Sequence, residues 1–163
     1  MKKGIIIIIV AIAIVAIWAI IGYNGLVSQD ETVANSWANV EAVYQRRADL
    51  IPQLVNTVKG YANHEKSTLD AVVSARTKAT QMTVSVDDLS EENIQKFQEA
   101  QGEVGAAIGR LLAITENYPE LKANENFSEL QAQLEGTENR INEARKKYNH
   151  PQEKEMQKSK MAV

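Results

Sequence analysis

From Val33 onward, large and apolar side chains recur in steps of four and three: Val33, Trp37, Val40, Tyr44, then Ile51, Leu54, Val58 and Tyr61. Arg47 holds the one place in that series that is not apolar. This is a heptad seam, the pattern of a long helix that lays one stripe against its neighbours. Gly60 and the polar "NHEKST" predict a break near residues 62–67. A second, shorter stripe runs through Leu69, Val72, Val73, Arg76, Ala79 and Met82. It gives way to "TVSVDDLSEEN", where Ser90 is placed to cap a helix and Glu91 and Glu92 suit the positive end of its dipole.

The third stripe is Ile94, Phe97, Gln101, Val104, Ile108, Leu111, Thr115 and Tyr118. Pro119 ends it, because a proline disfavours helix in the residue before it. "PELKANEN" turns the chain, with Asn124 or Asn126 as the next cap. The fourth stripe is Phe127, Leu130, Leu134, Thr137, Ile141, Ala144 and Tyr148. No β pattern competes. Four amphipathic segments with short connections predict an all-α fold, an antiparallel bundle of about four helices.

The start of the chain follows another rule. "MKKGIIIIIVAIAIVAIWAIIGYNGLV" opens on Lys2 and Lys3 and then carries no charge until Asp30. Its apolar core, Ile5 to Ile21, would be roughly 26 Å long as a helix, the short end of a membrane span. Gly22 and Tyr23 lengthen it slightly, and a tyrosine suits the headgroup region. A cleavable signal peptide has a similar positive start, but its apolar run is usually shorter and ends in a small-x-small cleavage site. Here Gly22, Tyr23 and Asn24 follow. The sequence therefore predicts a transmembrane helix that contacts the lipid bilayer through residues 5–21. The two lysines place the N-terminus in the cytoplasm, giving a single-pass protein of the inner membrane with its bundle outside. Three regions follow: a cytoplasmic stub and anchor over 1–27, a bundle over 28–149, and a polar, lysine-rich tail without fixed structure over 150–163.

Composition narrows the functions. The chain has 163 residues, enough for one ordinary domain, and is rich in good helix formers. A net charge of −3 spread over both signs offers no nucleic-acid surface. With no cysteine there can be no disulfide, thiolate metal site or cysteine nucleophile.

Four places invite a chemical reading. In "RRADLIPQLV", Pro52 removes a backbone hydrogen bond from the first helix and clashes with the carbonyl of Ala48, which predicts a bend. That bend either opens a pocket beside Arg46, Arg47 and Asp49 or simply lets the helix follow its neighbours, with the charges solvated or paired. His64 and Glu65 form the one compact general-base candidate, but they lack a second histidine at zinc-helix spacing, and His150 lies at the far end of the chain. Trp37, Tyr44, Tyr61, Tyr118 and Tyr148 occupy seam positions and read as core, with ligand stacking as the alternative. Gly102, Gly105 and Gly109 in "QGEVGAAIG" cost about 1 kcal/mol each against alanine in a helix. Close helix approach would explain them, either to a second copy or to Trp37 or Tyr44 of the same chain. No catalytic, cofactor-binding or metal-binding residues are assigned, and no cofactor.

"YNGLVSQDETVANSWANVEAVYQRRADLIPQLVNTVKGYANHE" and "ITENYPELKANENFSELQAQLEGTENRINEARKKYN" closely resemble the LemA family of bacterial membrane proteins, from about Tyr23 to Asn149. The resemblance implies one N-terminal span and a helical-bundle domain, and it supplies no catalytic residues. It departs after Asn149. The family continues there with another helical, aromatic-containing stretch, whereas this chain has "HPQEKEMQKSKMAV", the expectation for a truncated, frameshifted or variant C-terminus.

The expected function is that of a non-enzymatic, membrane-anchored structural or interaction module. It would self-associate as a homo-oligomer and meet other membrane or envelope proteins, but no nucleic acid. The alternative is an extracytoplasmic sensor or ligand-binding bundle.

Overall fold

The computed structural model describes residues 2–161, with side-chain surroundings for 14–18, 20–21, 31–86 and 88–150. All regular structure among these residues is helical: α1 (Lys2–Tyr61), α2 (Lys66–Gln81), a 3-10 turn (Val86–Asp88), α3 (Glu91–Thr115), α4 (Pro119–Lys122) and α5 (Glu125–Met161). The chain divides into two compact units, residues 1–36 and 37–163.

In the first unit the described side chains Ile14, Val15, Ile17, Trp18, Ile20 and Ile21 are all exposed, Trp18 to 78%. Among the described residues no helix is long and apolar enough to cross a membrane. Most of the predicted span, Ile5 to Ile21, lies outside the residues with described side chains.

The second unit is a bundle whose helices alternate in direction. Trp37, where α1 enters this unit, meets Phe97 of α3 and Tyr148 of α5, while Tyr61 at the end of α1 meets Asn124 ahead of α5. In α2, Arg76 reaches back to Ala48, so α2 runs against α1. The stripes form the core: Trp37, Val40, Tyr44, Ile51, Leu54 and Val58 are buried in α1, and all seven residues of the fourth stripe are buried in α5. The caps fall as expected, with the Ser90 hydroxyl accepting from Asn93 N and the Asn124 side chain accepting from Phe127 N at 3.0 Å.

Three details differ from the sequence expectation. In α2, Ala75 takes the core place expected of Val73, which is 45% exposed. "PELK" is a helical turn with Pro119 at its first position, where a missing N–H costs nothing, and it drives Leu121 fully into the core. α5 continues in backbone past Pro151 to Met161, through residues expected to form a tail without fixed structure. The run "QEKEMQK" consists of strong helix formers, which offsets the one bond that proline removes.

Candidate functional site: a buried arginine beneath an interhelical groove

Arg47 is the centre of the polar structure in the bundle. The seam turns its side chain inward, leaving it 4% exposed. Burying a guanidinium without partners would be costly, and α3 and α5 supply them. Its Nη2 donates to the backbone carbonyl of Gln101 at 2.7 Å and to Gln101 Oε1 at 2.8 Å. Its Nη1 donates to Glu138 Oε2 at 3.2 Å, and Glu138 itself stays 52% exposed. The guanidinium carbon lies 5.0 Å from the centre of the Tyr44 ring, in cation–π range. Only Nε is left without an acceptor among the described residues.

Beside this arginine lies a groove of about 520 Å³, with α3 and α5 as its walls and Arg47 of α1 in its floor. Ile108, Leu112 and Leu134 make it apolar, Gly105 and Gly109 keep the α3 wall low, and Gln131, Glu135 and Glu138 line the α5 wall. A Cβ at Gly105 would sit 3.7 Å from Arg47 Nη1, an ordinary contact, and one at Gly102 or Gly109 would meet nothing within 4 Å. These glycines therefore do not make room for Trp37 or Tyr44 of the same chain.

The other candidates are not brought together. Arg46 and Asp49 are exposed, and Asp49 accepts from Gln45 Nε2 at 2.8 Å. Of the three charges in "RRADLIPQLV", Arg47 alone lines the groove. His64 is exposed in the turn after α1, while its neighbour Glu65 accepts from the Tyr118 hydroxyl at 3.0 Å, a contact that ties two connections at one end of the bundle. Trp37, Tyr44 and Tyr148 lie in the core, and Trp37 Nε1 donates to the Val84 carbonyl at 3.0 Å. Tyr61 is 41% exposed, its hydroxyl accepting from Asn124. Among the described residues no group of three or more His, Asp or Glu side chains could hold a metal ion.

Sequence reasoning left two readings of this segment, a pocket beside Arg46, Arg47 and Asp49 or charges solvated or paired, without saying which charge would do which. The available signal was a pair of large polar residues, Arg47 and Gln101, in mostly apolar seams. Two such residues on different helices can satisfy each other only if they meet inside, which they do.

Burial pushes the Tyr44 phenol above its ordinary pKa, against the opposing pull of the Arg145 and Arg47 charges.

Comparison with known proteins fits this architecture. Magnetosome protein MamQ 2 of Paramagnetospirillum magneticum is 26% identical over 144 residues, covering 78% of this chain and 53% of that protein. Magnetosome protein MamQ of Magnetospirillum gryphiswaldense matches to the same extent, 26% over 144 residues, with 78% and 53% covered. Protein LemA of Metamycoplasma hominis is 24% identical over 126 residues, covering 77% of this chain and 54% of that protein. The chain thus spans about half the length of the curated relatives it matches. The sequence model of the LemA family matches residues 36–159, past the departure expected at Asn149. With that match taking in every helix of the bundle, the chain belongs to the LemA family.

Proposed function

We propose that the protein is a non-enzymatic interaction module: a helical bundle, tethered to the inner membrane by its first residues, that docks other proteins and further copies of itself. The groove between α3 and α5 carries this reading. An apolar trough with a low, glycine-lined wall lets another backbone approach closely, and such a surface gains little from facing water. The exposed apolar side chains Ile14, Val15, Ile17, Trp18, Ile20 and Ile21 support the anchor, continuing an uncharged stretch that begins after Lys3. Confinement to a plane raises the effective concentration of copies, which favours weak contacts between them.

The test is the size of the full chain extracted in mild detergent, with co-purifying proteins identified by mass spectrometry. Assemblies larger than one chain are expected, with co-purifying proteins lost on Gly109→Leu. A monomer with nothing bound would overturn the proposal. Intact mass should include residues 1–27, and protease added to intact spheroplasts should digest the bundle. A shortened chain would defeat the anchor, and protection until lysis would reverse the orientation.

A ligand-binding bundle is the second reading, favoured by a groove volume of about 520 Å³ within the usual range of small-molecule sites. A small molecule retained through purification and displaced by Gly109→Leu would favour it.

A further inference from the structure

We infer that the groove between α3 and α5 receives an amphipathic helix of a different protein, one whose apolar stripe is flanked by lysine or arginine. The inference rests on the interaction-module reading and adds the chemistry of the partner. Its two walls match in length. Gly105 to Leu112 on α3 and Gln131 to Glu138 on α5 each span seven steps, about 10 Å or two helical turns. A trough with an apolar floor between two helices is the place where a bundle seats another helix, by anchors at i, i+3, i+4 and i+7.

The two walls ask different things of that helix. Along α3, Gly109 faces open space and Gly105 adds no side chain of its own beside Arg47, so the visitor can bring its backbone close and needs no polar group there. Along α5, the exposed charge is carboxylate. Glu135 is exposed, Glu138 is 52% exposed, and the one cation in the lining, Arg47, is 4% exposed and already bonded to Glu138. Within the lining, a visiting side chain therefore meets exposed negative charge on the α5 wall, while the lining's one cation is buried and already engaged. Lysine or arginine on the flank facing α5 complements that rim, and glutamate or aspartate would be repelled.

A second copy of this chain fits less well. Among the described residues of its bundle unit, the apolar stripes of α1, α2, α3 and α5 are already buried in its own core, and they leave no free stripe to offer. Two grooves placed face to face would also set the same carboxylates against one another.

The experiment uses the full chain in nanodiscs of neutral lipid. The probes are two synthetic amphipathic helices with the same leucine–alanine stripe, one flanked by lysine and one by glutamate. Each carries a photo-crosslinking side chain in the stripe, and empty nanodiscs give the background. The lysine-flanked probe is expected to cross-link to α3 and α5 around Gly109 and Leu134. Glu135→Lys should weaken its binding about fivefold or more and strengthen that of the glutamate-flanked probe. Gly109→Leu should weaken both. Glu135→Lys alters only an exposed side chain, so its result does not depend on a core that might fail to fold. Equal binding of the two probes to wild-type protein overturns the charge assignment. Cross-links that map outside α3 and α5 overturn the site. If neither probe binds but the chain still forms assemblies with its own copies or with other proteins, this inference fails and the interaction-module reading stands. If the chain is monomeric and binds neither probe, both fail together.

Discussion

Arg76 of α2 donates from Nε to the backbone carbonyl of Ala48 at 2.7 Å. That carbonyl is the acceptor that Pro52, four residues on, cannot use, because proline has no N–H. A neighbouring helix thus supplies the donor that proline withholds, and α1 continues unbroken to Tyr61. The consequence is a coupling. Arg76→Met should cost about 1–3 kcal/mol, the penalty for a part-buried carbonyl left without a donor. In a Pro52→Ala background the restored N–H takes the same carbonyl, and Arg76→Met should then cost much less. Urea unfolding of the four proteins completes the cycle. Additive costs would show that Arg76 serves some purpose other than Pro52.

The two adjacent arginines should separate sharply. Arg46 is exposed, and its replacement by alanine should change stability by no more than about 0.5 kcal/mol. Arg47→Ala removes three side-chain hydrogen bonds and leaves Gln101 facing a void, so about 2–4 kcal/mol is expected. Glu138 limits the loss because it is exposed enough to rehydrate. Arg47→Met combined with Gln101→Leu removes both polar partners while keeping their volume, and should recover most of the difference. Thermal or urea unfolding of the purified chain measures all three. A cost for Arg46 equal to that for Arg47 would mean that burial is not what sets it.

These pairs mark where the sequence was legible. Apolar spacing located Leu111 and Leu134 in the core, because a stripe repeating in threes and fours can be buried only on one side. Val73 was misplaced because Val72 and Val73 are equally apolar, and only the neighbouring helices decide which one turns inward. Leu121 and Val84 escaped because they sit in connections, where no periodicity operates and burial depends on what the turn lies against. The Arg47 site was half visible: its polar gap was plain, but its partners lie 54 and 91 residues away. No local pattern encodes such a distance. The groove was less visible still, being a property of three helices at once.

Tyr44 gives the bundle a sensitivity to alkali. Burial holds its phenol above the ordinary value of about 10, so the folded state keeps a proton that the unfolded chain releases. The stabilising contribution is therefore fully present below about pH 10 and is lost as pH rises from there through the folded-state pKa. Tyr44→Phe keeps the edge-to-face contact with Phe97 and removes the titration. Its urea midpoint should fall less steeply than the wild-type midpoint across that window. Identical slopes would mean that other groups govern alkaline unfolding.

The exposed glycines of α3 make the last prediction, because stability and binding should move in opposite directions. Glycine inside a helix is less favourable than alanine by about 0.5–1 kcal/mol, and a Cβ at Gly102 or Gly109 would meet nothing within 4 Å. Neither position has a backbone angle that requires glycine, since no residue of the described chain has a positive φ. Folding alone therefore gives no reason for these two residues. Gly102→Ala and Gly109→Ala should each raise the unfolding free energy by about 0.5–1 kcal/mol, and the pair should add, because the residues lie seven apart and share no contact. If the α3 wall seats another helix, the methyl group added at Gly109 stands where its backbone approaches, because Gly109 lines the groove. The stabilised double variant should then lose affinity for the lysine-flanked helix while melting at a higher temperature. Melting followed by circular dichroism, paired with probe binding on the same samples, reads both effects. A variant that is more stable and binds undiminished would leave the glycines without a role in docking. A variant that is less stable would show that both sites lie against structure of the chain itself.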